Sequence, residues 1–443
     1  MLHHLTRTRT LVAVIITLII LRIITLSWSP PGFFLDEAAS GAHVIAMLTN
    51  WTNAHGEFWP LFSSSLGGGY TTPIYLYLVT LWAALFGTSE LALRLFSQVA
   101  TIGAVLLLGW SLRLWLDKKA AYAAVIIGLA LPWGWLQGSL AWDPALIPLV
   151  VSLSFYAFSL IWFAPSYRYK IIGHVLLPTS LVALAYLYPP CRVTAPLLYV
   201  GAYSLLYRYA HISLRHLLIV GAYSALIALP LLVFILQPEA LARSREVSVF
   251  HDTPLLFGIG HVIANIFLMI NPIFLFIFGD PNLRHATGYQ GMLGVAAVLP
   301  LAVLAWHSIG IFKHASTKSL SKSQSQQKIL IAIAAAGVIA SILGSALTNE
   351  GQPHSLRASA AWLFIVILIA IGSTIIWRSR RRWLKISAVA IFAIGTSAYA
   401  VDLTLFYPSR AAGSFDASVR AEIQQGQSPA GYPDLSLEYY RTK

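Results

Sequence analysis

Charge is scarce in this chain of 443 residues: Asp, Glu, Lys and Arg make up 10% of it, against 58% hydrophobic residues. A soluble protein needs more charge than that to cover its surface. Cysteine is nearly absent. The single Cys191 excludes an internal disulfide framework and a cysteine-based zinc site. The apolar stretches also lack the polar alternation of a membrane barrel. Strands are thereby excluded as the spanning element, and an all-α polytopic bundle remains, each helix satisfying its own backbone polar groups. Acidic residues are few as well, leaving a net charge of +13. The cations sit between apolar segments, as in Arg378-Ser379-Arg380-Arg381-Arg382, the placement of topology-setting cytoplasmic loops and not of a nucleic-acid surface.

Apolar segments near the roughly 20 residues needed to cross hydrocarbon recur from end to end. Spans are expected at about 10–28, 89–112, 120–138, 144–163, 171–188, 194–209, 215–236, 291–312, 329–347, 359–377 and 384–406. That is about 11 transmembrane helices, with 12–13 as the alternative count. The first segment follows Arg7 and Arg9 but carries Arg22 and no small-x-small cleavage pattern, so it reads as a retained helix. Arg22 is costly in a span, and snorkelling toward the outer end is the simpler expectation for it. The basic linkers 113–119, 167–170, 208–216, 313–328 and 378–382 are all internal only if the short apolar segment 73–86 does not cross. That segment therefore reads as re-entrant or interfacial. The Ser/Lys/Gln run 316–328 reads as a low-complexity cytoplasmic linker.

Segments 29–73, 237–290, 348–357 and the tail 407–443 then fall outside. The first begins Phe33-Phe34-Leu35-Asp36-Glu37, two adjacent carboxylates where the chain leaves hydrocarbon. From Asp36 to Trp51 the spacing is helical, with Ala38, Ala42, Ile45 and Leu48 on one stripe, as in a helix lying along the membrane surface. Asp36 could simply be the N-cap of that helix, with Glu37 favouring its dipole. Adjacent helical positions point about 100° apart, so the two carboxylates are not expected to share one role.

The loop continues through Asn53-Ala54-His55-Gly56-Glu57-Phe58-Trp59-Pro60, Gly67-Gly68-Gly69-Tyr70 and Pro73-Ile74-Tyr75 to Gly87-Thr88-Ser89-Glu90-Leu91-Ala92-Leu93-Arg94-Leu95. This order of an Asp-Glu helix, a Gly/Pro-rich loop, a Pro-x-Tyr helix and an Arg-Leu motif resembles the amino-terminal module of GT-C glycosyltransferases, of the protein O-mannosyltransferase and aminoarabinose transferase type. The resemblance is strongest over residues 30–110 and continues as a helix pattern to about 210. It implies a GT-C bundle over 1–406 with outer-face juxtamembrane helices and a short tail at 407–443, lodged in a bacterial-type cytoplasmic membrane. It further implies sugar transfer from a polyprenyl-phosphate donor to an unidentified protein, lipid or glycan acceptor on the outer face. The essential acid of that family matches Asp36, implying a general base in an inverting displacement. Glu37 would orient the acceptor or a nearby cation.

A lipid-phosphate leaving group calls for cations, and arginine suits it because its planar fork bonds phosphate bidentately. Arg94, Arg192, Arg284 and Arg357 are the outer-side candidates. Arg94 could instead snorkel to the interface. Gly279-Asp280-Pro281-Asn282-Leu283-Arg284-His285 follows the apolar stretch 255–278, expected along the membrane surface; Thr348 to Arg357 contains Pro353-His354-Ser355-Leu356-Arg357. Both resemble outer-loop patterns of related bacterial membrane proteins and nominate Asp280, His285 and His354 as further substrate contacts, with ordinary polar turns as the bland alternative. Two histidines so far apart in sequence are poor evidence for a metal. Asp143, before Pro144, suits a helix start. Asn50-Trp51-Thr52 matches a glycosylation sequon of the kind that arises by chance. A transporter or lipid flippase is the competing class, and it would place polar groups at mid-depth on several helices. A non-enzymatic scaffold is the remaining alternative.

Overall fold

A computed structural model describes residues 2–210, 212–314, 322–427, 429 and 431–442. The first part of the 316–328 linker lies outside the described residues. The elements are α1 (Leu2–Thr25), α2 (Leu35–Asn50), α3 (Pro73–Phe86), α4 (Glu90–Trp115), α5 (Lys118–Ala130), α6 (Pro132–Gln137), α7 (Ile147–Phe163), α8 (Tyr167–Leu187), α9 (Cys191–Tyr209), α10 (Leu214–Ile235), α11 (Pro238–Glu246), α12 (Leu255–Met269), α13 (Val298–His314), α14 (Lys322–Ala346), α15 (Ala361–Arg378), α16 (Arg382–Val401), α17 (Tyr407–Ala411), α18 (Val419–Gln424) and α19 (Asp434–Arg441). Among the described residues, strand is confined to a two-residue antiparallel pairing of Ser63–Ser64 with Tyr70–Thr71.

Nine helical segments among the described residues are long and apolar enough to cross a membrane. Eight coincide with expected spans. The ninth, Leu255–Ile277, was expected along the membrane surface. Three further expected spans take other forms. Segment 120–138 breaks into α5 and α6 at Leu131-Pro132, where proline cannot donate to the helix ladder. Segments 194–209 and 291–312 become α9 and α13. Helix α3 has 14 residues, so at 1.5 Å per residue it spans about 21 Å, short of the roughly 30 Å of hydrocarbon.

Helices α4, α5, α7, α8 and α15 pack on one another at the centre. Trp362, Val366, Ala370 and Ile371 of α15 are fully buried, whereas α10 exposes Leu218, Leu226, Leu229 and Val233, a composition that suits contact with lipid tails. Basic linkers 113–119 and 378–382 meet at one end, where Arg378 pairs with Asp117 at 2.7 Å. The long polar segments gather at the other.

Arg22 does not snorkel. It is fully buried, its Nε and Nη2 donating to Gln98 Oε1 at 2.9 and 2.7 Å. It also donates to the carbonyls of Leu129 and Gly134. The break at Pro132 is the physical reason: the Trp133 amide turns away to the Met292 carbonyl, leaving the Leu129 oxygen free for the guanidinium. An expected surface-seeking cation is thus a buried clamp between α1, α4 and the α5–α6 corner.

Candidate active site

The first turn of α2 decides how the two adjacent carboxylates are used. The N-cap is Phe34, so Asp36 and Glu37 fall inside the helix and the N-cap alternative for Asp36 does not hold. Glu37, three positions past the cap, accepts from the Phe34 amide at 3.1 Å, the side-chain half of a capping box. Its Oε1 accepts from Arg94 Nε at 2.9 Å and from the Ala141 amide at 2.7 Å; its Oε2 accepts from Arg94 Nη2 at 2.7 Å. Arg94 completes its fork with the carbonyls of Pro30 and Gly32. Both side chains are buried. Of the two expectations for Glu37, orienting the acceptor or a nearby cation, the second is the one its contacts match, the cation being Arg94, whose expected place on phosphate is corrected. Each has its bonding capacity engaged by the other and by the backbone, and together they fix the exit from α1 and the start of α2 onto α4.

Asp36 points elsewhere. It is half-buried, and among the described residues its carboxylate accepts no hydrogen bond. Burial pushes its pKa up to about 6, opposed by Arg284 and His285 and reinforced by the negative charges of Glu37 and Asp416. Arg284 reaches this spot because its guanidinium lies 4.0 Å from the Phe34 ring centroid, stacked on the residue that caps α2. Its Nε bonds Asn282 Oδ1 at 3.2 Å, while its two terminal nitrogens make no hydrogen bond among the described residues.

Asp280, His285 and His354 meet in space although the sequence separates them. Asp280 is buried; Oδ1 accepts from the Asn282 amide at 2.8 Å and Oδ2 from His285 Nδ1 at 3.1 Å and from the Ser355 amide and hydroxyl at 2.7 and 2.8 Å. Burial alone would raise this carboxyl, but His285, His354 and the Ser355 amide together hold it below the usual carboxylate range. Asp280 thus locks the 279–285 turn onto the 353–357 turn, and sets His285 beside His354 with ring centroids 4.8 Å apart. Burial, with the positive field of His285 and Arg357, keeps His354 well below the ordinary histidine range. Its Nδ1 is shielded and has no partner among the described residues. The three side chains offer ligand atoms within 4.8 Å of one another, though a cation would compete with His285 and Ser355 for Asp280 Oδ2.

Arg357 is engaged: Nη1 bonds Thr348 Oγ1 at 2.7 Å and the Glu350 carbonyl at 3.0 Å, and Nη2 bonds Glu350 Oε2 at 2.8 Å. Glu350 also receives Arg243 of α11 through both its oxygens. Arg192, at the start of α9 after the Pro189-Pro190 turn, is different. Its Nε and Nη1 are shielded from solvent and have no partner among the described residues. Asp143 starts a 3₁₀ turn, and its Oδ2 accepts from the Thr72 amide at 2.8 Å, tethering the N-terminus of α3.

The sequence left the tail 407–443 unplaced. It folds over α2. Tyr439 is buried, its hydroxyl donating to the Thr88 carbonyl at 2.9 Å and its ring 5.1 Å from that of Phe33. Gly41 is what lets it dock, since a Cβ there would strike the Tyr439 ring. Ser436 donates to the Leu35 carbonyl at 2.8 Å, and Tyr407 donates to the Leu283 carbonyl at 2.5 Å. The tail therefore holds both the Asp36 turn and the Arg284 turn. No signal in the sequence marked it as site material.

No family model and no curated protein matches the chain. Solved structures do. ArnT from Cupriavidus metallidurans in the apo state superposes with a TM-score of 0.51 at 16% identity, over 98% of this chain and 84% of that one. The same protein bound to undecaprenyl phosphate gives 0.53 at 13% identity, with the same coverage. The Archaeoglobus fulgidus oligosaccharyltransferase tethered to an acceptor peptide gives 0.52 at 14% identity, over 96% of this chain and 60% of that one. The chain spans less than two thirds of that last relative's length. Its fold is the GT-C fold of membrane glycosyltransferases.

Proposed function

We propose that the chain is a membrane glycosyltransferase that moves a sugar from a polyprenyl-phosphate donor to an acceptor at the outer face of a bacterial-type cytoplasmic membrane, inverting the anomeric centre. The observation that carries this reading is the unpaired Asp36 carboxylate beside Arg284, at the end of a GT-C bundle where the long polar segments gather. Basic linkers 113–119 and 378–382, joined at the opposite end by the Arg378–Asp117 pair, support reading that end as the outer one.

The chemistry is a single displacement. The acceptor hydroxyl oxygen attacks the anomeric carbon as Asp36 takes its proton, and the bond from that carbon to the phosphate oxygen breaks, leaving the lipid phosphate with the electron pair. A carboxyl with a pKa of about 6 is ionised at neutral pH and sits close to the value best suited to a general base. Arg284, whose terminal nitrogens are free among the described residues, and Arg192, with two unpartnered nitrogens, suit the departing charge. Arg357 can join only by loosening Glu350. His285 and His354 line the same turn pair and suit sugar hydroxyls. Undecaprenyl phosphate is the molecule bound in the ArnT structure, which supports a donor of that class here. The mid-span cation that a transporter reading would use, Arg22, is already engaged by Gln98 and two carbonyls.

The direct test incubates membranes containing the chain with a panel of radiolabelled polyprenyl-phosphate sugars and follows the label. The reading expects one donor class to give a labelled product that depends on Asp36. Correctly inserted protein that transfers label from no member of the panel would contradict it.

A further inference from the structure

Asp416 sits where the tail turns from α17 toward α18, in left-handed backbone (φ 50°, ψ 41°) of the kind that Gly, Asn and Asp adopt. Its Oδ2 accepts from the amide of Leu35, the first residue of α2, at 3.3 Å. The chain can approach this closely because Gly32 has no side chain: a Cβ there would collide with the Phe415 carbonyl and with Ala417. Two charged groups of the site face Asp416: Asp36 on α2 and Arg284 on the 279–285 turn. Tyr432 of the tail faces it as well. Asp36 in turn faces Glu37, Arg284, His285 and Asp416, with Asp143 and Tyr188 beyond.

Docking the tail does not require this acid. Tyr439, Ser436 and Tyr407 anchor it through hydrogen bonds, Arg410 bonds the Thr287 carbonyl and Arg420 pairs with Glu90. A neutral acceptor would satisfy the Leu35 amide equally well. A carboxylate set opposite the Asp36 carboxylate and an arginine does something an anchor need not do.

Resting on the reading of Asp36 as the base, we propose that Asp416 is a positioning residue of the site: it holds the first residue of α2 and sets a second negative charge against Asp36 and Arg284, keeping the base ready to take a proton and the arginine drawn to the mouth of the site. The tail is then part of the catalytic architecture.

The charge has a signed consequence. A neighbouring anion makes ionisation of Asp36 harder, so removing it shifts the acid limb of the transfer profile to lower pH. The test measures the pH dependence of transfer for the purified full chain and for Asp416→Asn, which keeps an acceptor and tolerates the left-handed backbone. Asp416→Gly, which suits that backbone best, is the second variant should the first fold poorly. Tyr439→Phe, a tail contact outside the site, is the control. The expected result is an acid limb moved down by roughly 0.5–1 pH unit in both Asp416 variants and unmoved in Tyr439→Phe. Coincident acid limbs for wild type and Asp416 variants, in protein whose Asp36→Asn variant is inactive, would overturn the proposal while leaving the base intact. Normal turnover in Asp36→Asn would remove the base itself, and this proposal with it.

Discussion

Asp36 and Glu37 are neighbours in sequence and opposites in structure. Glu37 turns toward α4 and ends with four hydrogen bonds, two of them from the fork of Arg94. Asp36, about 100° further round the helix, turns toward the loops and meets charges, its carboxylate accepting no hydrogen bond among the described residues. One face of this helical turn is a fastener, and the other carries the proposed base. Of this acidic pair, Glu37 is taken up by its partners, and those partners decide which carboxylate is left to react.

The two faces should break in different currencies, stability on one side and turnover on the other. The largest stability effect is expected for Glu37→Gln, which leaves Arg94 buried with an uncompensated charge. Losing one partner of a buried pair costs about 3–5 kcal/mol, to be read as a fall in thermal midpoint or in the yield of folded protein. An unchanged midpoint would mean that the pair does not hold the exit from α1. On the working side, Arg284→Lys keeps the charge and loses the fork, so donor affinity should fall about ten- to a hundredfold, or about 1.5–3 kcal/mol, at unchanged stability. Lys at Arg192 should act in the same direction, and unchanged affinity in both variants would assign the phosphate to Arg357 after loosening of Glu350.

Transfer by the wild-type chain should rise with pH through about 6 as Asp36 ionises, because the base must be deprotonated to act. A rate flat between pH 5 and 7 would contradict that assignment. The smallest effect is expected for Tyr439→Phe, which removes one hydrogen bond to the Thr88 carbonyl and should cost about 0.5–1.5 kcal/mol of stability.

Much of the bundle was legible because a helix in lipid must satisfy its own backbone, so apolar length alone marks it. The meeting of the 279–285 and 353–357 turns was legible only as two separate Arg-and-His motifs. What joins them is the buried Asp280 accepting from Ser355, a contact between residues far apart in sequence. Arg22 was expected to snorkel and Arg94 to hold phosphate, because a lone arginine near an apolar segment looks available until its partners are known, and Gln98 and Glu37 reach the two only through tertiary packing. The break at Pro132 was readable as a proline, but not the carbonyl it frees for Arg22. The tail had neither helical length nor a motif, and its place over α2 depends on Gly32 and Gly41: Pro31-Gly32 reads as a local turn, but neither glycine announces that another segment packs against it.

The central claim is that the free face of α2 does chemistry and the paired face does not. Asp36→Asn tests it most directly, since the substitution keeps size and removes basicity. Turnover per folded molecule should fall by roughly 10²–10⁴, the usual worth of a general base, with donor affinity and thermal stability unchanged. Near-normal turnover in folded Asp36→Asn protein would contradict the account.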